Sequence, residues 1–232
     1  MKKLLSLSVA SLALVAAADQ FSPQIGVQSF TATTNSVLLP VKFNSLSDGA
    51  ISAKELVCTN NLDIGTSLYV FQNGAYTSWV LEQSGWTATA RASDTELNPA
   101  APDPAQKLVA GSAIWITPVN GKTFSIYGKV IESKTSTIER QANNLLANPT
   151  GALVSGTDLA TKLAGVAQAK DKISPIGDSF VGNYVYTGSS WTYINGTTVT
   201  ADAVLPNLAA NQGFWYVSKS ALAEGKSNTI QW

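Results

Sequence analysis

Short runs of alternating apolar and polar residues, rich in aromatic and β-branched side chains, fill much of the chain after residue 20. Alternation with a period of two is typical of half-buried strands. Three Asn-Gly dipeptides lie between such runs, and Asn-Gly is a strong hairpin signal because both turn positions take positive φ. The predicted hairpins join 67–71 to 76–81 through Asn73-Gly74, 113–117 to 123–127 through Asn120-Gly121, and 191–194 to 197–200 through Asn195-Gly196. The pattern therefore predicts an all-β fold, sandwich- or barrel-like.

One stretch has helical periodicity instead. Leu159, Leu163 and Val166 stand at positions i, i+4 and i+7, and Thr157 is available as the N-cap. The spacing predicts one short helix over 158–169. Gly165 is a poor helix former, so the length of this helix stays open.

The two halves of the chain resemble each other. Three pairs of segments match: 108–116 with 208–216, 69–76 with 184–191 and, more weakly, 35–40 with 143–149. The offsets are 100, 115 and about 108 residues, so the halves differ by loop insertions. We expect two diverged repeat units, unit 1 at 19–132 and unit 2 at 133–232, which form either two domains or one composite core.

Unit 2 carries Asn-Leu-Leu-Ala-Asn-Pro at 144–149, then an aromatic strand pair around a glycine turn, then Leu-x-Ala-x-x-Gly-Phe-Trp at 208–215. This order resembles a group of largely uncharacterised exported β-repeat proteins of Gram-negative bacteria, with an N-L-x-x-N-P turn before an A-x-Q-G-F-W segment. Unit 1 matches only in part, because Pro40 has no preceding Asn and Ser112-Ala113 replace Gln-Gly. The resemblance implies an exported β fold with a surface or matrix role, and it implies no catalytic residues.

The amino terminus has the pattern of an export signal. Lys2 and Lys3 precede the apolar run 4–15, and Ala16-Ala17-Ala18 come before the polar Asp19. A positive start, a short apolar stretch and small residues at the cleavage site are typical of a secretory signal peptide. The run is shorter than the roughly 20 residues that span a bilayer. We therefore expect a signal peptide at 1–18, export to the periplasm, cell surface or extracellular space, and no transmembrane helix.

The charge balance and the rare residues exclude several function classes. The 232 residues include 15 Lys and Arg, 15 Asp and Glu, one Cys and no His. The chain therefore has no Ser-His-Asp relay, no internal disulfide and no four-thiolate zinc site. Removal of the signal peptide leaves 13 basic and 15 acidic residues, a net charge of −2, which argues against a nucleic-acid partner. Cys58 is expected to be a small buried hydrophobe, or else an intermolecular disulfide or attachment point.

The sequence has no phosphate-binding loop, G-x-S-x-G elbow, S-x-x-K pair or calcium loop. We therefore predict no catalytic residue, no metal ligand and no cofactor. A two-carboxylate glycoside hydrolase stays open as a lesser alternative, because that chemistry requires only two acids at the right distance. Its candidate acids near strands and loops are Glu82, Asp94, Glu96, Glu132, Asp178 and Asp202.

Aromatic residues are the better candidates for binding. Tyr76, Trp79, Trp191 and Tyr193 follow glycine turns and could present flat faces to a sugar or peptide. The alternative is that the alternation along their strands points the Trp79 and Trp191 side chains inward, as core residues. Trp115 and Trp215 stand in runs that look buried on both sides, so we expect both in the core.

The leading hypothesis is an exported, non-catalytic β protein with a surface, matrix or assembly role. Its sheet edges offer a route to self-association by strand addition. A carbohydrate-binding module, with a surface glycan as partner, is the alternative.

Overall fold

The computed structural model describes residues 25–32, 36–46, 50–57, 62–72, 74–88, 107–108, 111–130, 135–150, 152–176, 182–209 and 212–232. The predicted signal peptide, Cys58 and four of the candidate acids (Asp94, Glu96, Glu132 and Asp178) lie outside these residues.

The described chain consists mainly of short strands, and the all-β prediction is confirmed. Unit 1 contains β1 (Ile25–Ala32), β2 (Val37–Pro40), β3 (Phe43–Asn44), α1 (Ala53–Leu56), β4 (Ser67–Gln72), β5 (Ala75–Glu82), β6 (Gly85–Ala88), β7 (Ala113–Thr117) and β8 (Lys122–Val130). Unit 2 contains β9 (Thr135–Thr137), β10 (Asn143–Ala147), α2 (Gly156–Ala164), β11 (Lys172–Pro175), β12 (Asn183–Tyr186), β13 (Trp191–Asn195), β14 (Thr198–Thr200), β15 (Gly213–Val217) and β16 (Thr229–Gln231).

Unit 1 is a sandwich of two antiparallel sheets. The five-stranded sheet has the order β2-β7-β4-β5-β6, and the three-stranded sheet has the order β1-β8-β3. Alternation along each strand turns one set of apolar residues inward, so that Ile114 and Ile116 of β7 join Phe124 and Ile126 of β8 in one buried cluster. The core of unit 1 therefore lies between these two sheets.

Unit 2 has one large sheet with a different cover. Its six strands run in the order β10-β15-β11-β12-β13-β14, while β9 and β16 form a separate two-stranded ribbon. Leu159 and Leu163 of α2, Ile230 of β16 and Phe214 of β15 are all fully buried in one cluster. The helix and the ribbon thus cover the core of unit 2, as the small sheet covers the core of unit 1.

The five strands of the unit 1 sheet match the first five strands of the six-stranded unit 2 sheet, in which β14 is an additional strand. In unit 1, β2 pairs with β7, and β7 pairs with β4, the strand after α1. In unit 2, β10 pairs with β15, and β15 pairs with β11, the strand after α2. The register agrees as well: Trp115 lies opposite Leu38 on one side and Tyr69 on the other, and Trp215 lies opposite Leu145 and Ser174. Both Trp side chains therefore occupy the same position in the two sheets.

The register differs from the expected alignment at one place. Sequence comparison matches 69–76 with 184–191, whereas the strand pairing matches Trp79 with Tyr184 and Trp86 with Trp191. In this register 79–88 and 184–193 share Val, Ser, Trp and Thr at the same positions. The aromatic and glycine pattern alone matches β12 and β13 with β4 and β5, whereas the strand pairing matches them with β5 and β6.

Two of the three predicted hairpins form. The strands β4 and β5 pair up to Gln72 opposite Ala75, and Gly74 takes a φ of +77° in the turn. The strands β13 and β14 also pair, with Asn195 opposite Thr198, so Gly196-Thr197 is the two-residue turn there. The hairpin predicted at Asn120-Gly121 is wrong, because β7 and β8 belong to different sheets of the sandwich.

The predicted helix is present but shifted. It runs over Gly156–Ala164 and ends at Gly165, and its N-cap is Ser155, whose Oγ accepts a hydrogen bond from the Asp158 amide at 3.1 Å. Thr157 lies inside the first turn and is not the cap. A second and shorter helical turn, α1, occupies the same place in unit 1.

The large sheets pack against each other through their outer faces. A third cluster, which we call the seam, joins buried Ala113 of unit 1 to Leu145 and Ala147 of unit 2, with Trp115 and Trp215 packed against it. The approach is close, because a Cβ on Gly213 would collide with Leu38. The expected full burial of Trp115 and Trp215 is therefore wrong, since both are half-buried and line the seam instead of either core. None of the helices in the described residues has the length and apolar character to cross a membrane.

Candidate functional site

Tyr76 is the most exposed of the four predicted binding aromatics, with 48% of its surface accessible. Its ring lies edge-on to Phe71 at 4.9 Å and to Trp215 at 6.3 Å between centroids. Phe71 and Trp215 are themselves in edge contact at 4.9 Å. Tyr76 therefore lies at the rim of the seam, where side chains of both units meet.

Trp79 and Trp191 are core residues. Trp79 has no accessible surface and belongs to the core of unit 1, and Trp191 is 6% exposed in the core of unit 2. A ring without accessible surface cannot stack on a ligand. Of the two roles left open by the sequence, burial supports the core role for both.

Tyr193 belongs to a row of aromatic rings on neighbouring strands of unit 2. It lies opposite Tyr184 with centroids 4.9 Å apart, and Trp191 lies opposite Tyr186 at 5.0 Å. Burial raises the pKa of Tyr184, and the nearby Tyr193 adds to the effect. The structure thus places the four predicted residues in three different surroundings and does not form one aromatic platform from them.

A different feature stands out at the edge of the small sheet of unit 1. Strand β1 pairs with β8 over its whole length, from Ile25 opposite Lys129 to Ala32 opposite Lys122. It is an outermost strand in the order β1-β8-β3, so no described strand pairs with its second edge. We call this second edge the β1 edge.

The outer face of the β1–β8 pair combines apolar and hydroxyl side chains. Ile25 is 62% and Val27 is 67% exposed, while Ser29 and Thr31 continue the same face. The Ser29 and Ser125 hydroxyls lie 3.1 Å apart, and those of Thr31 and Thr123 lie 3.1 Å apart. The opposite face is the core side, where Phe30 stacks on Phe124 at 5.8 Å.

Within the described residues, the β1 edge lacks the usual protection of a sheet edge. Natural edges are kept apart by short strands, charged side chains or proline. The segment 25–32 is eight residues long and contains no charged residue and no proline. An edge of this kind presents backbone N–H and C=O groups that can accept another strand.

Sequence reasoning did not single out β1. The alternation of 25–31 is visible in the sequence, but its exposed positions carry Ile and Val, which a residue-by-residue reading assigns to the core. Only the pairing with β8 shows which side of the strand faces water. The signal available was the lack of charge over 25–32.

Two charged residues of unit 2, Asp171 and Arg140, meet in a buried network. This fully buried carboxylate accepts hydrogen bonds from the Tyr216 hydroxyl at 2.6 Å, the Lys219 amide at 2.9 Å and the Gln168 amide at 3.0 Å. The Arg140 guanidinium donates to it at 3.2 Å and also to two backbone carbonyls. Burial raises the pKa of Tyr216, and its hydrogen bond to Asp171 raises it further. Both carboxylate oxygens are engaged by protein donors, so the arrangement fixes loops in place.

Glu55 forms a separate polar cluster in unit 1. Its carboxylate accepts hydrogen bonds from the Ser52 amide at 2.8 Å, from the Ser52 hydroxyl at 2.7 Å and from Lys107 at 3.2 Å. These bonds, with that of the Ser52 amide the strongest, hold the pKa of Glu55 at about 2. The pair is a capping box at the start of α1. In the described part of the chain, no three acidic or Cys residues come together as a metal site.

Comparisons with known proteins add no relative to this picture. No family model, no curated protein and no solved structure matches the chain. The resemblance to exported β-repeat proteins therefore stays a prediction.

Proposed function

We propose that the protein is an exported, non-catalytic β protein, built from two diverged copies of one unit, that acts at a surface or in a matrix by self-association. The observation that carries this proposal is the β1 edge, an uncharged strand of eight residues with exposed Ile25 and Val27 beside it. Exposed edges of this length and composition favour pairing with another strand.

The shared strand order and register of the two large sheets support the duplication. The same agreement extends to the capping serines, Ser52 before α1 and Ser155 before α2, each paired with an acid three residues later. Such agreement in strand pairing, cap and Trp position is what two copies of one ancestral unit would retain. Export rests on the signal pattern at 1–18.

The test is the molar mass of residues 19–232, measured by size-exclusion chromatography with light scattering over a wide range of concentrations. We expect the mass to rise with concentration. The Val27→Lys variant places a charge beside the β1 edge and should stay monomeric. Val27 is 67% exposed, so the substitution should leave folding intact.

Val199→Lys is the matched control, because Val199 is 64% exposed on β14, the three-residue edge strand of the large sheet of unit 2. It should associate like the unmodified chain. A monomer mass at every concentration for the unmodified chain would refute the proposed function.

Carbohydrate binding is the second candidate, and the exposed ring of Tyr76 favours it. Tyr76, Phe71 and Trp215 form an edge-to-face group at the rim of the seam, and an aromatic face of this kind can stack on a sugar ring. Binding to a glycan array, lost in Tyr76→Ala but kept in Tyr193→Ala, would support this function. An array without any bound glycan would remove it.

A further inference from the structure

We infer that the partner of the β1 edge is the β1 edge of a second copy of this chain, paired antiparallel about a two-fold axis through Ser29. This inference rests on the proposed function and names its partner and register. Among the strands at the ends of the described sheets, β1 differs from the others in its length of eight residues.

The other strands at the ends of the described sheets are short. Strand β3 has two residues, β14 has three, β2 and β6 have four each and β10 has five, against eight for β1. The ribbon strand β9, at the equivalent place in unit 2, also has three residues. In unit 2, three residue pairs between β9 and β16 are enough to form this ribbon. The β1–β8 pairing of unit 1 has eight residue pairs, so β1 is longer than its place in the fold requires.

The sequence of β1 is complementary to itself. Residues that face each other in an antiparallel pair point to the same side of the sheet, so outer-face residues must lie opposite outer-face residues. An axis through Ser29 meets this condition: Ser29 lies opposite its own copy, and Val27 lies opposite the second copy's Thr31. No charges oppose each other across the axis, because 25–32 has none.

The pairing also repeats the chemistry already present on the other side of β1. Ser29 lies opposite Ser125 within the chain, with hydroxyls at 3.1 Å. Across the axis Ser29 would again meet a serine, which continues the row of hydroxyls from one chain into the next. Cross-strand Ser and Thr pairs of this kind stabilise a sheet.

The geometry predicts a weak and closed dimer. A two-fold contact uses the same patch on both chains and is complete with two copies, so it does not grow into a filament. One added strand pair buries less than the roughly 1,200–2,000 Å² of a standard stable interface. We therefore expect a dimer that forms only at high protein concentration.

The test uses charge at the axis. Ser29 is exposed, so Ser29→Lys and Ser29→Asp should fold, yet each places two like charges opposite each other in the dimer. Each variant alone should have a dimer dissociation constant at least about tenfold higher in sedimentation equilibrium, because like charges in contact cost more than about 1.4 kcal/mol. An equimolar mixture places Lys opposite Asp and should restore dimers that contain one chain of each.

Oxidative crosslinking provides a second readout. In a Cys58→Ser background, Ser29→Cys should form a disulfide-linked dimer, since facing residues of paired strands meet the Cα distance of about 4.4–6.8 Å that a disulfide requires. Ser125→Cys is the matched control on the next strand. Its copies would be separated by three strand spacings, about 14 Å, and should not crosslink.

The outcomes separate the two proposals. Dimers of the unmodified chain that persist in both charged variants would overturn the β1 pairing and leave self-association standing. Monomers in the mixture of Lys and Asp variants would overturn the two-fold register. A monomeric unmodified chain at all concentrations would overturn both proposals.

Discussion

The two large sheets place different chemistry at the same positions. In unit 2, Tyr216 and Asp171 belong to the buried network with Arg140, and the Tyr216 hydroxyl donates to Asp171 at 2.6 Å. The strand register places Ile116 and Thr66 at these positions in unit 1, where both side chains are fully buried. One sheet pattern is thus compatible with an apolar site in unit 1 and an ionic site in unit 2.

The difference shows that the register of the sheet does not depend on the ion pair. Apolar residues alternate inward in both units, and that alternation is enough to set which strand face is buried. The network adds something local: it ties the loop after α2, the start of β11 and the segment before β10 to one carboxylate. Removal of one member of such a buried network should destabilise the fold strongly, whereas replacement of all its charged and polar side chains together should change stability little.

The largest effect is expected for Asp171→Ala. The substitution leaves the Arg140 guanidinium in a buried site, with 10% of its side chain exposed and without its counter-charge. We expect the free energy of unfolding to fall by about 3–5 kcal/mol. Chemical denaturation followed by tryptophan fluorescence measures this change.

Two further variants sharpen the result. Thr66→Ala removes the unit 1 counterpart, whose hydroxyl oxygen has no hydrogen-bond partner in the part of the chain that the structure describes, and should change stability by well under 1 kcal/mol. The triple variant Arg140→Leu, Asp171→Thr, Tyr216→Ile gives unit 2 a site like that of unit 1 and should recover most of the loss. A triple variant as unstable as Asp171→Ala would contradict the equivalence of the two sites.

A smaller effect is expected at Asn148, which follows β10. Its fully buried amide donates to the Ala152 carbonyl at 2.7 Å and to two further carbonyls, and its oxygen accepts from the Thr150 amide at 2.9 Å. Asn148→Ala leaves these groups unsatisfied and should cost about 2–3 kcal/mol. Thr150→Ala keeps the amide hydrogen bond and removes only the Thr150 hydroxyl, which donates to the same Asn148 oxygen at 2.7 Å, so it should cost less in the same denaturation experiment.

Unit 1 shows why this Asn is a local device. Val41 occupies the equivalent position and is also buried. Its backbone N–H donates to the Ser112 carbonyl, just as the backbone N–H of Asn148 donates to the Gln212 carbonyl. The backbone contact is common to both units, while the side-chain bonds to the following turn belong to unit 2. Equal losses in Asn148→Ala and Thr150→Ala would show that the turn, and not the amide, is what matters.

The smallest effect concerns the capping box of unit 1 and acid. Hydrogen bonds from Ser52 hold the pKa of Glu55 at about 2, below its ordinary value of 4.5. A lowered pKa in the folded state stabilises the protein above pH 4.5, and this contribution is lost as the pH falls towards 2. Because 35% of the side chain is exposed, we expect less than about 1 kcal/mol, measured as the difference between the pH profiles of unfolding for the unmodified chain and Glu55→Gln. Identical acid profiles for the two proteins would contradict this role of Glu55.

The sequence predicts what depends on neighbouring residues. The hairpin turns at 73–74 and 196–197 and the helix follow from local turn and periodicity signals, and all three are present, the second turn one residue later than predicted. The hairpin at 120–121 is absent because tertiary packing separates β7 and β8, and a turn signal carries no information about which sheet a strand joins. Asp171 and Arg140 of the buried network are 31 residues apart in the sequence, so no spacing reveals them.

The half-buried state of Trp115 and Trp215 shows a second limit. Alternating strands show that two faces differ, but not that a second sheet covers the outer face. The seam is therefore invisible in the pattern, and both Trp residues look like core. The β1 edge is missed for the same reason, since exposure of Ile25 and Val27 depends on what lies beyond β1.

Amide hydrogen exchange at low and high protein concentration tests the central claim, self-association through β1, most directly. The account predicts that exchange of the backbone amides within 25–32 slows as concentration rises, while that of another edge strand, β14 at 198–200, stays unchanged. Exchange of 25–32 that is the same at both concentrations would contradict the claim.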